Sequence, residues 1–374
     1  MIGCGRAFPP AGGGRGWVRR LLVAGIGILA PLFLFLLLLE GAARRWAPEH
    51  VIPPPKQRVA WMPYQRAPSI PGLPVEYIPY RSVLHIYPEP KRAYLGPGNR
   101  VEIRFNSQGF RDVEHAPSPP AGGHRIVVLG DSFTLGEGVH FRDIYPRRLE
   151  ALLEKRCNCP IDVVNLSFMG AATYHEAILL EHKGMPLSPD IVIVGFVLND
   201  ALHPAREMTD VVDNFMLFNP DLFEKGRKSN WLTRHSRLAR WLSDRYRLAR
   251  LRRETEAAYR SLYREEELGF RLMKQALVRM KEMTRAGGAH LLVAVFPLMH
   301  DLDDSYPFRS IHRLILDLCA AEGIDAVDLF PDFRGIDARE LWAHPSDHHP
   351  NERAHAIIAE ALAREIERRG LLGR

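Results

Sequence analysis

Four short stretches carry residue types that could do chemistry. Gly130-Asp131-Ser132 follows the apolar run Ile126-Val127-Val128-Leu129. Leu166-Ser167-Phe168-Met169-Gly170 follows a run ending at Asn165, and Leu198-Asn199-Asp200 follows Ile191 to Val197. The last stretch, from His344 to Asn351, holds three histidines and Asp347 just ahead of a periodic segment. A serine hydroxyl is a poor nucleophile at neutral pH without an adjacent base. Histidine can take its proton and return it near pH 7, and a carboxylate can fix the histidine tautomer. Taken singly, each stretch reads equally well as a turn or a helix cap, with Asn199-Asp200 or Asp347 as cap and His344 and His348 on the surface. Together they hold the parts of an acyl-transfer site.

The surrounding pattern says how such stretches meet. Strands are expected at 126–129, 161–165, 191–197, 290–296 and 326–329. Helices are expected at 145–155, 173–183, 267–286, 311–322 and 351–369. Strand-helix alternation of this kind predicts an α/β fold, a three-layer sandwich about a parallel sheet. Loops at the carboxyl ends of parallel strands converge although far apart in sequence, and that edge is where open α/β folds keep their ligands.

Outside the α/β pattern the chain divides further. Residues 1–20 form an N-terminal segment. Leu21 to Leu39 is uncharged and apolar, and at 1.5 Å per residue it spans about 28 Å, close to a bilayer's hydrocarbon thickness. It is expected to be an uncleaved membrane anchor, with Gly41-Ala42-Ala43 as the cleavage box of the rival signal-peptide reading. Arg15, Arg19 and Arg20 before it, against Arg44, Arg45 and Glu40 after it, favour the N-terminus inside and the large domain periplasmic or extracellular. Residues 40–74, rich in proline from Pro53 to Pro74, are expected as an extended spacer. Residues 75–122 are expected as a small β cap, and 123–374 as the α/β domain. An insert at about 202–266 interrupts it. Its arginines and interleaved leucines read as a helical cap or as a basic amphipathic helix on anionic lipid.

The 46% apolar and 25% charged composition belongs to a folded protein. The net charge of +6 comes without an aromatic-basic pattern of a base reader, so nucleic acid is not an expected partner. No phosphate loop or dinucleotide fingerprint appears, and neither cofactor nor metal is expected. The four cysteines are Cys4, Cys157, Cys159 and Cys319. Cysteines one residue apart rarely bridge each other, so free thiols, or a bridge from Cys157 or Cys159 to Cys319, are expected.

The four stretches resemble the blocks of the SGNH hydrolases, the GDSL-like esterases, over about residues 123 to 370. Gly130-Asp131-Ser132 is similar to the first block, Gly170 to the second, Asn199-Asp200 to the third and His349-Pro350-Asn351 to the last. The resemblance implies Ser132 as nucleophile, His349 as general base and Asp347 as the residue that orients it. It also implies an oxyanion hole from the backbone N–H groups of Ser132 and Gly170 and the side-chain amide of Asn199. Asp347-His348-His349 departs from the family's usual Asp-x-x-His and resembles extracytoplasmic members linked to polysaccharide O-acetylation. A carboxylate out of reach would leave a dyad, and His348 is the less favoured base. Ser167 stands where the family often has glycine. Asn106-Ser107-Gln108-Gly109-Phe110-Arg111 resembles a segment ahead of the first block in membrane-anchored members, and a structural role is expected.

The expected function is a serine-dependent ester hydrolase outside the membrane, acting on O-acetylated carbohydrate. The alternatives are an O-acetyltransferase of cell-surface polysaccharide and a non-catalytic glycan-binding or scaffold subunit. The expected partners are membrane lipid through Leu21–Leu39 and an acylated carbohydrate or other ester. A polytopic membrane acyltransferase or a membrane complex is an allowed further partner.

Overall fold

The computed structural model describes residues 14–47, 56–204 and 230–373. Residues 1–13, the triple proline at 53–55 and the insert's first part at 205–229 lie outside the described residues. The chain forms two compact units, Met1–Val51 with Lys228–Ala249, and Ile52–Arg227 with Arg250–Arg374.

Helix α1 (Gly14–Trp46) opens the first unit and continues through Pro31. Its portion Gly25–Trp46 is long and apolar enough to cross a membrane, and only 6% of that window is buried within the protein. An apolar helix that leaves its side chains uncovered matches hydrocarbon, since all its backbone groups bond within the helix. This is the membrane-anchoring helix.

The second unit begins with short strands. β1 (Gln57–Val59), β4 (Ser82–Ile86) and β5 (Arg100–Arg104) form an antiparallel sheet with β4 in the middle, and β2 (Gln65–Arg66) pairs with β3 (Glu76–Tyr77). The expected spacer therefore differs from the observed chain: its second half is folded. Proline disfavours a strand only where the ladder needs its N–H, and 57–59 are free of proline and occupy a sheet edge. The alternating burial of β5 points Val101 and Ile103 inward, and Tyr77 stacks on Phe105 with ring centroids 4.1 Å apart.

The main sheet starts at β6 (His124–Gly130), followed by the short helix α2 (Ser132–Leu135), α3 (Tyr145–Cys157), β7 (Ile161–Ser167), α4 (Thr173–Leu179) and β8 (Ile191–Phe196). α4 ends four residues short of the expected helix and passes into a π-helical turn, Leu180–Gly184. Two helices come from the insert, α5 (Trp231–His235) and α6 (Arg237–Leu262). Then follow α7 (Leu268–Ala286), β9 (His290–Val295), α8 (Arg309–Glu322), β10 (Asp325–Asp328) and the short α9 (Phe330–Phe333). A hairpin of β11 (Trp342–His344) and β12 (Asp347–Pro350) leads into α10 (Glu352–Arg369).

The five main strands are all parallel, in the order β10-β9-β8-β6-β7. β8 is buried along its whole length, as an unbroken apolar run requires when helices cover both faces. β7 is added on one side of β6 and β8 on the other, so the strand order reverses between the neighbours β6 and β8. Right-handed crossovers then put α3 and α4 on opposite faces, where α3 packs with α10 and α4 with α7. The cleft at such a reversal opens at the strands' carboxyl ends.

The cysteines differ from expectation. Cys157 and Cys159 are bridged, and Cys319 is a buried free thiol. Asn158 ends α3 in the left-handed conformation, φ 54°. That turn brings the two Cα atoms to 5.2 Å, inside the span a disulfide needs.

Candidate active site

Ser132 opens α2 directly after β6. The turn is tight: a Cβ on Gly130 would lie 2.0 Å from Thr134 Oγ1, so only glycine lets the helix fold back here. Asp131 caps α2, its side chain accepting the Phe133 N–H at 2.8 Å. Asp131 also accepts from the Asn199 amide at 3.1 Å, which ties the loop after β8 to the loop after β6. Burial raises the Asp131 carboxyl to about 6, against the pull of these two donors.

The residues of β12 explain the short Asp-x-His spacing. Successive side chains on a strand alternate sides. Asp347 and His349 therefore share one side, and His348 turns away to stack on Trp342 with ring centroids 3.8 Å apart. His349 Nε2 lies 2.9 Å from Ser132 Oγ, and His349 Nδ1 lies 2.5 Å from Asp347 Oδ1. An ionised carboxylate can only accept, so Nδ1 carries the proton and Nε2 is left to accept from the serine hydroxyl. Asp347 reaches its histidine, and the arrangement is a three-membered chain rather than a dyad.

Two alternative readings of this stretch are corrected. Asn351, not Asp347, caps α10, accepting from the N–H groups of Arg353 and Ala354. His344 is buried rather than on the surface, held between Ser346 Oγ at 2.7 Å and the Pro90 carbonyl at 2.9 Å.

Gly170 and Asn199 stand on the loops after β7 and β8, at the same sheet edge as Ser132. Gly170 has φ +72°, a left-handed conformation that favours glycine, and the space where a side chain would project is open. Among the described residues no acceptor takes the backbone N–H of Ser132 or of Gly170. The Asn199 amide has two N–H donors, of which the Asp131 contact uses one. In the second block Ser167 Oγ donates to Asn165 Oδ1 at 2.6 Å, so the serine found in place of glycine is internally satisfied.

The sequence reading missed the charged groups around the histidine. Lys56, just before β1, bonds to both Glu137 and Asp347. Tyr87 donates to Asp347 Oδ2 at 2.8 Å, and Arg58 donates to Glu137 Oε1 at 2.8 Å. Glu137 Oε2 lies 3.9 Å from His349 Nε2, on the serine side of the ring. Burial opposes ionisation of both carboxyls. The Lys56 ammonium and the His349 imidazole outweigh it and hold Glu137 and Asp347 below the usual range. Burial likewise works against a charged His349, and Asp347 and Glu137 overcome it, raising the imidazole above 6.5. His85, 3.7 Å from Glu137, is pushed by burial down to about 3 and stays neutral.

Glu137, Asp347 and His349 also present three ligand atoms within 4.8 Å of one another, the donor set of a cation site. Lys56 bonds to both of these carboxylates, so their charge is balanced by a protein group and the set is an ion-pair network.

Arg111 explains the segment 106–111. The Asn106 side chain closes the turn by accepting from the N–H groups of Gln108 and Phe110. Arg111 is buried and donates to the carbonyls of Leu135, Gly136 and Val139 at 2.9, 2.5 and 2.6 Å. It thereby clamps the loop that carries Glu137.

The sequence matches the model of the GDSL-like Lipase/Acylhydrolase family over residues 128–357. The chain belongs to this family. It is thus an SGNH-type hydrolase by descent, carrying an N-terminal membrane-anchoring helix. Comparison with curated proteins returned no match. Among solved structures, LAE5, an α/β hydrolase from the metagenome of Lake Arreo, is 18% identical with TM-score 0.39, covering 68% of this chain and 98% of its own. Axe2, an acetylxylan esterase from Geobacillus stearothermophilus, is 15% identical with TM-score 0.38, covering 66% and 94%. The esterase EstA from Pseudoalteromonas sp. is 14% identical with TM-score 0.37, covering 66% and 97%.

Proposed function

We propose that this SGNH-family hydrolase cleaves acyl esters with Ser132 as nucleophile, His349 as general base and Asp347 as its orienting partner. The observation that carries the reading is the unbroken chain Ser132 Oγ, His349, Asp347, with links of 2.9 and 2.5 Å. A glycan-binding or scaffold subunit has no use for that geometry.

Ser132 Oγ attacks the ester carbonyl as its proton passes to His349 Nε2. The tetrahedral oxygen faces the N–H groups of Ser132 and Gly170 and the free donor of Asn199. One such donor is typically worth about 3 kcal/mol in the transition state. Collapse expels the alcohol, which takes the proton from His349, and leaves an acyl-serine. Water, deprotonated by His349, then releases the acid and restores Ser132. If a sugar hydroxyl takes the place of water, the same steps make an O-acetyltransferase. The Asp-x-His spacing, similar to that of members linked to polysaccharide O-acetylation, favours an acetylated carbohydrate as substrate or product.

The catalytic unit belongs outside the cytoplasmic membrane on this reading. Arginines flanking the N-terminal side of the apolar run support it. The Cys157–Cys159 disulfide supports it too, since such bonds persist in oxidising compartments. The test is acetate release from p-nitrophenyl acetate and from an acetylated polysaccharide by wild type, Ser132→Ala and His349→Ala. Loss of turnover in both variants is the expected result. Equal turnover in all three overturns the serine mechanism. Release from the aryl ester alone removes the carbohydrate assignment.

A further inference from the structure

The insert's second helix starts on the membrane helix. Glu40 is the first charged residue after the apolar run Leu21–Leu39. Its carboxylate accepts from the backbone N–H groups of Arg237 and Leu238, at 2.8 and 2.9 Å, and from the Ser236 hydroxyl at 2.7 Å. These N–H groups are donors that the first turn of α6 cannot satisfy by itself, and the carboxylate also complements the helix dipole. Two arginines fasten the joint from either side. Arg44 donates to the His235 carbonyl at 3.3 Å, and Arg237 to the Ala47 carbonyl at 2.9 Å.

The joint fixes a depth. A carboxylate at the end of a membrane-spanning run belongs among the headgroups, where water and polar groups solvate it. Groups bonded to it lie at that depth too. What α5 and the first half of α6 display there is chemically mixed. Trp231, Leu232, Leu242 and Tyr246 are exposed, and so is Trp46 at the end of α1. Leu238, Leu242 and Tyr246 repeat at i, i+4 and form one stripe of α6. Beside it Arg245 stacks over Trp241, 5.3 Å from the ring centroid. Residues 230–249 hold five arginines against one carboxylate, Asp244.

We propose that α5 and the first half of α6 form a docking surface for anionic phospholipid, lying along the bilayer from which α1 emerges. Exposed aromatic and leucine side chains enter the headgroup boundary, as in interfacial helices. Exposed Arg245 meets lipid phosphate, and the segment's positive charge adds to the attraction of an anionic surface. Continuity with α1 selects this occupant over a soluble partner, because the surface is delivered to the bilayer before any encounter takes place. The inference does not depend on the ester chemistry.

The test is amide hydrogen exchange of the full chain in lipid nanodiscs, one set of phosphatidylcholine and one enriched in phosphatidylglycerol. Exchange across 231–249 is expected to be severalfold slower in the anionic discs, with the difference shrinking at high salt. Arg245→Gln is expected to reduce the difference about fivefold, and Arg245→Lys to retain most of it. Equal exchange in both lipids overturns the proposal. If equally fast, the surface faces water. If equally slow, it is covered by protein, whether the catalytic unit or a second copy. Unchanged exchange across the sheet strands β6 and β8 shows that the Arg245 variants remain folded.

Discussion

His349 sits between two carboxylates, and its pH behaviour should report both. It must be neutral to accept the serine proton, so activity rises as pH climbs through its pKa. Asp347 and Glu137 favour the imidazolium and Lys56 disfavours it. Glu137→Gln removes a stabiliser of the charged form, so the acid limb of kcat/KM should shift to lower pH. Lys56→Met removes an opponent of the charged form, so the limb should shift to higher pH. The other charged or titratable groups around this cluster, Arg58, His85, Tyr87 and Asp131, are untouched by either change. A pH profile that stays in place in both variants would reduce Glu137 and Lys56 to structural charges. Asp347→Asn, which spoils the tautomer, should instead lower turnover about 10³–10⁴-fold.

At the scale of elements, the loop 135–139 depends on one side chain. Arg111 supplies donors to three carbonyls of a buried loop, and only Gly136 has a further partner there, the Val139 N–H. Arg111→Met should cost about 2–4 kcal/mol, given about 1 kcal/mol or more for each buried acceptor left unpaired. Urea unfolding reads that cost. Turnover at a temperature where the variant is folded should fall as well, because Glu137 rides on the loop. Stability loss with unchanged turnover would separate the clamp from the site.

This dependence also marks what the sequence could and could not disclose. The parallel strands were legible because a strand buried on both faces must be an apolar run, and β6 and β8 hold such runs. Ser132, Gly170 and Asn199 were legible as loops that follow such runs. The pairing of Asp347 with His349 became clear only with β12. A strand reading Asp-His-His-Pro has no strand propensity of its own, and its pairing with β11 makes the side chains alternate. Lys56 was illegible for a different reason. It lies 291 residues from Asp347, inside a segment whose prolines mask the short strand that follows. The Cys157–Cys159 bridge was misread because spacing alone omits the left-handed turn at Asn158. A bridge closing so small a loop should contribute under about 2 kcal/mol, which the Cys157→Ser, Cys159→Ser double variant can check.

At the scale of the whole molecule, the anchor and the site are adjacent in sequence. Nine residues separate Trp46, the last of α1, from Lys56. Part of the proline-rich stretch belongs to the site, since Lys56 supplies the cation for Glu137 and Asp347. Soluble forms of the protein should be sensitive to where they begin. A chain starting at Ile52 keeps Lys56 and Arg58 and should hydrolyse esters like the full chain. A chain starting at Trp61 keeps Ser132, His349 and Asp347 but loses β1, Lys56 and Arg58. Two buried carboxylates then lack their cation, and breaking such a pair typically costs about 3–5 kcal/mol. The shorter chain should be the less stable and should lose most of its turnover. Adding Glu137→Gln to it should restore part of the stability, because one of the two stranded charges is gone. Equal stability and turnover in the two soluble forms would mean that the segment after the anchor serves only as a spacer.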